Sequence, residues 1–197
     1  MVQQKDLRVV TMDPRVERTR EHVLNSARIL LDEQGADSIT FSSVGKAARV
    51  ARQTLYRHWA TREQLIADVL FASSVQGHPL PVRTTPQAHL RAFLEDARDY
   101  VNSPAIASAA ALLMSHATTD RGSAETLRAM VEERMRSLQS GWGPISDEDY
   151  AMIVGPLMLQ MLMLRKPVTD EFIASIVDEA MARREMARPQ MASVPSA

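Results

Sequence analysis

The stretch Thr40-Phe41-Ser42-Ser43-Val44-Gly45-Lys46-Ala47-Ala48-Arg49-Val50-Ala51-Arg52-Gln53-Thr54-Leu55-Tyr56-Arg57-His58-Trp59 holds two short helical patterns set back to back. Val44, Ala47 and Ala48 share one face of the first at helical spacing. Leu55 and Trp59, four apart, share a face of the second, and Val50 can plug the corner between them. Helices this short do not persist alone in water, so they must pack on each other and on a further element. The face opposite Leu55 and Trp59 carries Gln53, Thr54 and Arg57, with Arg52 at the helix start. It is polar, cationic and capable of bidentate hydrogen bonds, which is the chemistry that reads base edges in a DNA major groove. The plainer reading of the same residues is a helical hairpin with a solvated face.

Ile39-Thr40 through Leu65, with Thr54-Leu55-Tyr56 and the closing Trp59-Ala60-Thr61-Arg62-Glu63-Gln64-Leu65, resembles the helix-turn-helix of TetR-family transcriptional regulators. A weaker likeness lies at Gly155-Pro156-Leu157. The resemblance implies a repressor on double-stranded DNA, released by a small ligand held among the C-terminal helices. Two residues depart from the pattern. Arg49 stands where the turn usually has Gly, and a left-handed non-Gly residue costs on the order of 1 kcal/mol. Ala51 stands where a Ser-like cap usually precedes the second helix, at a similar cost of about 1 kcal/mol.

The chain of 197 residues suits one domain or two small ones, and its 45% hydrophobic and 24% charged residues are ordinary for a globular protein. It has no cysteine, which excludes a disulfide framework and thiol chemistry and fits a reducing cytoplasm. No apolar run reaches membrane-spanning length, and Lys5, Asp6 and Arg8 interrupt any signal-peptide core. The expected location is therefore cytoplasmic, with no membrane partner. Residues 1–66 hold 11 Lys and Arg against 8 Asp and Glu, and residues 67–197 hold 12 against 16. A basic front and an acidic back suit a protein that presents one end to nucleic acid.

The pattern predicts an all-α chain of about nine helices. A disordered tail is expected at 1–12, a helix-turn-helix domain at 13–75, a Gly- and Pro-bearing linker at 76–86, a ligand-binding and dimerisation domain at 87–187, and a second tail at 188–197. Asp13 and Pro14 open the first helix and Gly35 closes it. Its stripe of Val16, Val23, Leu24, Ala27, Leu30 and Leu31 is the floor for the two short helices. Ser123 is a candidate cap for a helix running to about Ser140, and Asp147 begins one running through Leu164.

No nucleophile sits beside a base, no glycine-rich loop can cradle phosphate, and the spacing of His78 and His89 fits no metal site. Neither an enzyme nor a cofactor is expected. Base reading falls to Arg52, Gln53, Thr54 and Arg57. Phosphate contact falls to Thr40, Ser42, Tyr56, His58 and Arg62. Seven of the 12 methionines lie between 114 and 163, and Met suits surfaces that adapt to apolar partners. An unidentified small hydrophobic ligand is accordingly expected among Phe93, Met114, Met130, Trp142 and Met158, with His116 or Gln160 as polar handles. Ala151 to Leu164 contains one clearly polar residue, Gln160, and a helix apolar on all sides must be covered on all sides. Pairing of this helix and the last one with their copies, through Leu159, Leu162, Phe172 and Ile176, would cover it in a homodimer. Two recognition helices would then meet two half-sites of a near-palindromic operator. The competing reading is a helical small-molecule-binding protein, or an enzyme, whose helix-turn-helix no longer reads DNA.

Overall fold

The computed structural model describes residues 14–76, 83 and 85–191. Among them are nine α-helices and no strand: α1 (Pro14–Gln34), α2 (Phe41–Ala48), α3 (Arg52–His58), α4 (Arg62–Gln76), α5 (Pro86–Val101), α6 (Pro104–His116), α7 (Arg121–Trp142), α8 (Asp147–Met158) and α9 (Asp170–Met191). A short 3-10 turn, Ala36–Ser38, follows α1, and a π-helical segment, Leu159–Met163, continues α8. No described helix is long and apolar enough to cross a membrane. The tails at 1–12 and 192–197, the Asp13 cap and the linker positions 77–82 and 84 lie outside the described residues. Positions 188–191, read from sequence as tail, continue α9.

The first helix is the floor that its stripe predicts. Val23, Leu24, Ala27 and Leu31 are buried beneath α2 and α4. Gly35 leaves the helix at φ 79°, a conformation open to glycine at little cost. Thr40 caps α2 in a reciprocal pair with Ser43: its Oγ1 accepts from Ser43 N at 3.0 Å, and its own N–H donates to Ser43 Oγ. At the other end Arg49 is left-handed, φ 54° and ψ 41°, the conformation that the missing glycine would have taken freely. His22 Nε2–H donates to Ala48 O at 3.0 Å and ties this turn to α1. Gly45 faces the next helix so closely that a Cβ there would stand 3.0 Å from Val50 O and 3.4 Å from a Leu55 methyl. Ala51 precedes α3 and supplies no side-chain cap.

Two apolar clusters form the interior, and they do not divide at the linker. The first runs from α1 through Val44, Leu55, Trp59 and Leu65 into Ala105, Ile106, Ala109 and Leu113 of α6. The second joins α5, the end of α7, α8 and α9 through Leu90, Phe93, Leu138, Trp142, Ile153 and Ile176. By packing, α6 therefore belongs with α1 to α4, although it follows the linker in sequence. Tyr100 Oη donates to Leu70 O at 3.0 Å, a second tie from the body to α4.

Two helix boundaries differ from the sequence reading. Asp120, not Ser123, caps α7: its carboxylate accepts Ser123 N–H at 2.7 Å, and Ser123 is buried one turn inside. The carboxylate is the stronger acceptor, and it gains from the helix dipole. The helix expected from Asp147 to Leu164 is α-helical only to Met158. Pro156 lacks the N–H for one internal bond, and the chain beyond it widens to the π spacing, with Leu164 N–H donating to Leu159 O.

Two substitutions test these local arguments. Arg49→Gly and Ala51→Ser should each stabilise the chain, by roughly 0.5–1 kcal/mol, by relieving the left-handed arginine and by supplying a cap. Denaturant midpoints would read this, and midpoints unchanged for both would refute the strained-turn account. Gly141 presents the opposite case. A Cβ there would lie within 2.6 Å of three ring atoms of His89, which is fully buried with its Nε2–H donating to Ser137 O at 3.1 Å. Gly141→Ala should destabilise by about 1–3 kcal/mol through overpacking of the α5–α7 contact, measured by thermal or denaturant unfolding.

Candidate nucleic-acid interface

Helix α3 buries Leu55 and sets Trp59, 2% exposed, at its end. The indole Nε1–H donates to Asp68 Oδ2 of α4 at 2.7 Å, and Arg20 of α1 donates to the same oxygen at 2.7 Å. One carboxylate thus fixes the end of α3 against both larger helices of the head. With that side pinned, Arg52, Gln53 and Arg57 are exposed on the other, and Thr54 is half-buried beside them. The four residues expected to read bases come together on one solvent-facing surface. Arg52 also donates through Nη2 to Ser42 Oγ, so the start of α3 is linked to the first turn of α2.

Thr40 and Ser42 are exposed at the N-terminus of α2. Tyr56 is 57% exposed, and its ring lies against Phe41, centroids 4.4 Å apart at 44°. His58 is half-buried with its ring 5.3 Å from that of Trp59. Arg62 departs from the expectation of a free phosphate ligand. Its Nε–H donates to Ile39 O at 2.5 Å, its Nη2 donates to Ala36 O at 2.6 Å, and Asp37 stands 3.7 Å away. The guanidinium closes the 3-10 turn after α1, where bare carbonyls need donors. The sequence reading missed Asp68, Phe41 and His22 as positioning groups. The signal for Asp68 was present: a lone carboxylate among the buried Leu65, Ile66, Val69 and Leu70, close in sequence to an indole that needs an acceptor.

The residues expected to hold a ligand are not brought around one cavity. Phe93 is fully buried in the core, with the Arg134 guanidinium 4.6 Å above its ring. Met114 is 40% exposed on α6, Met130 packs on the head cluster, and His116 Nδ1 meets Ser123 Oγ at 3.0 Å. Gln160 reaches Pro167 O at 3.4 Å. Trp142 and Met158 lie on different grooves that flank α8. Periodicity had shown which residues share a helix face, but not which faces meet. The groove between α8 and α9 measures about 520 Å³ and has an apolar floor that includes Trp142, Ile153, Phe172 and Ile176. The groove between α7 and α8 measures about 490 Å³ and includes Met158. Leu159 is 47% exposed and Leu162 half-buried at the end of α8.

Residues 23–69, from α1 into α4, match the family described as bacterial regulatory proteins, tetR family. The chain is 31% identical over 68 residues to the uncharacterized HTH-type transcriptional regulator YdeS of Bacillus subtilis (strain 168), covering 34% of each protein. It is 29% identical over 87 residues to the HTH-type transcriptional regulator AqdR of Rhodococcus erythropolis, covering 44% of this chain and 42% of that one. The matched segments are thus well under half the length of both relatives. Similarity of fold extends further. The TetR family transcription regulator SCO0332 superposes with a TM-score of 0.65 at 24% identity, over 81% of this chain and 94% of its own. A TetR transcriptional regulator from Rhodococcus sp. RHA1 gives 0.62 at 20% identity, over 83% and 93%. The four-helix unit assembled above on α1 to α4 is the segment that carries the sequence match, and it is this part of the chain that is similar to the tetR family of bacterial regulatory proteins.

Proposed function

We propose that this protein is a sequence-specific, DNA-binding transcription regulator of the cytoplasm, a homodimeric repressor released by a small hydrophobic ligand. The observation that supports DNA reading best is the exposed polar face of α3 with its opposite side pinned at Asp68. In this reading Arg52 and Arg57 take guanine edges, Gln53 takes adenine, and Thr54 fills in beside them. Thr40, Ser42, Tyr56 and His58 meet phosphates and set register without specifying sequence. Gln53→Ala and Arg57→Ala should each cost about 1–3 kcal/mol on an operator selected from random duplexes and relax preference at one base pair. Tyr56→Phe should weaken all sequences alike. Fluorescence anisotropy with labelled duplexes measures both. Unchanged affinity in the first two variants would remove this reading face. Absence of any salt-dependent DNA binding would leave the chain as a small-molecule-binding protein on a helix-turn-helix scaffold.

The dimer reading rests on uncovered apolar surface. Met152, Leu159, Met163 and Leu164 are 46%, 47%, 76% and 51% exposed, beside the groove floored by Phe172 and Ile176. A twofold partner laying its own α8 and α9 here would cover both the ridge and the groove. Leu159→Arg and Leu162→Arg should each give monomers and abolish operator binding together. Sedimentation equilibrium would detect this, and a wild-type chain that is monomeric at micromolar concentration would overturn the dimer.

A further inference from the structure

The groove between α7 and α8 carries a feature that packing does not use. Both helices rest on α5, and they scarcely touch each other. The space left between them is lined by Val131, Met135, Tyr150, Ala151, Val154 and Met158. Tyr150 is 8% exposed, with its ring edge-on to Phe93 at 6.3 Å. Its hydroxyl has no hydrogen-bond partner among the described residues. The ring is buried while the hydroxyl opens to the groove, so an occupant of the groove can accept from it in place of water. The phenol is protonated and able to donate at neutral pH, and burial pushes its pKa further up from the ordinary value. Gly155 borders the same groove, and a Cβ there would meet nothing within 4 Å, so the space is open along α8.

Charge narrows the occupant. The mouth carries Arg128, Glu132 and Asp147, one cation against two anions. Behind Tyr150 the Arg134 guanidinium already pairs with Asp96 at 2.7 Å. Its Nη2 has no partner but lies outside the groove lining, and the lining itself carries a net negative charge that repels a carboxylate. We infer that this groove binds an uncharged, elongated apolar compound with a single carbonyl-type acceptor, a ketone or ester, which takes its hydrogen bond from the Tyr150 hydroxyl. The methionines at 135 and 158 supply walls that adjust to the apolar body. This inference rests on the reading of the body as the ligand-sensing part of a regulator, and it places that site on the side of α8 away from the α8–α9 groove.

The test uses the full chain with 2-octanone and sodium octanoate, equal in carbon number, followed by isothermal titration. Wild type should bind the ketone saturably and the octanoate not at all. Tyr150→Phe keeps the ring packing and should weaken the ketone by roughly five- to tenfold, the effect of one hydrogen bond. Gly155→Leu, at a position where the added side chain meets no neighbour, should fill the groove and abolish binding. Circular dichroism and sedimentation would verify that both variants retain fold and assembly. Octanoate binding as well as the ketone, ketone binding unchanged in either variant, or no saturable ketone binding to wild type would each overturn the inference. Operator binding measured in the same samples separates the two readings. Ketone bound with DNA affinity unchanged would uphold the site and reject release by ligand, whereas DNA binding without ketone binding would reject the site alone.

Discussion

One carboxylate oxygen holds the N-terminal helices α1, α3 and α4 in register. Asp68 Oδ2 accepts from the Trp59 indole of the segment that ends α3 and from the Arg20 guanidinium of α1, each at 2.7 Å. Asp68 itself is fixed by α4, whose flanking Leu65, Ile66, Val69 and Leu70 are at most 1% exposed. The three groups are mutually dependent. An indole buried to 2% exposure needs an acceptor, a half-buried carboxylate needs donors, and the arginine supplies the compensating charge. Removing the carboxylate would leave the buried indole N–H without an acceptor, which costs more than the bond contributes when made, while Arg20 would keep Glu17 at 3.9 Å. α3 has only seven residues and an uncapped start, so the orientation of its polar face depends on this far end. The opposite end is positioned by steric closeness instead, where Gly45 admits Val50 and Leu55.

The strained turn is the counterpart of that anchoring. Arg49 holds a left-handed conformation and Ala51 gives α3 no cap, yet the two short helices keep their places. Leu55 is fully buried, and the Ala48 carbonyl gains a donor from His22. Burial of an apolar side chain contributes roughly 1.5–3 kcal/mol, which exceeds either local deficit of about 1 kcal/mol. Tertiary packing decides the geometry here, and local preference only reduces its margin.

This ordering of effects explains what the sequence made legible. Helix faces follow from periodicity, and periodicity is printed in the chain: Leu55 with Trp59, Val23 with Ala27, the polar run Arg52-Gln53-Thr54 with Arg57. The floor helix, the two short helices and their outward face were readable for that reason. Contacts between helices are not printed in this way. Phe93, Met114, Trp142 and Gln160 each sit on a readable helix, yet their separation into core, surface, groove and loop end depends on how α5 to α9 cross. Arg62 illustrates the same limit. Its position after α3 is legible, whereas the carbonyls of Ala36 and Ile39 that engage it lie 26 and 23 residues earlier in the chain. Asp120 and Ser123 show it on a smaller scale: both can cap, and the carboxylate, the stronger acceptor, takes the position while Ser123 is buried one turn inside.

The linker separates head from body in sequence, but packing joins them through α6 and α7. Helix α6 gives Ala105, Ile106, Ala109 and Leu113 to the head's own core. The first turn of α7 packs on α4, where a Cβ at Gly122 would approach the Gln64 side chain at 3.3 Å. Its last turn is locked at Gly141 against the buried His89 ring. Between these fixed ends lie Val131 and Met135, which face the groove beside α8. A helix of 22 residues is a rod of about 33 Å at the α-helical rise. A change in its spacing from α8 cannot be absorbed locally without tilting one end or the other. α7 thus packs on α4 at one end and borders the groove beside α8 along its middle, and a ligand in that groove would act on the N-terminal helices only to the extent that it bound two spacings of α7 and α8 unequally.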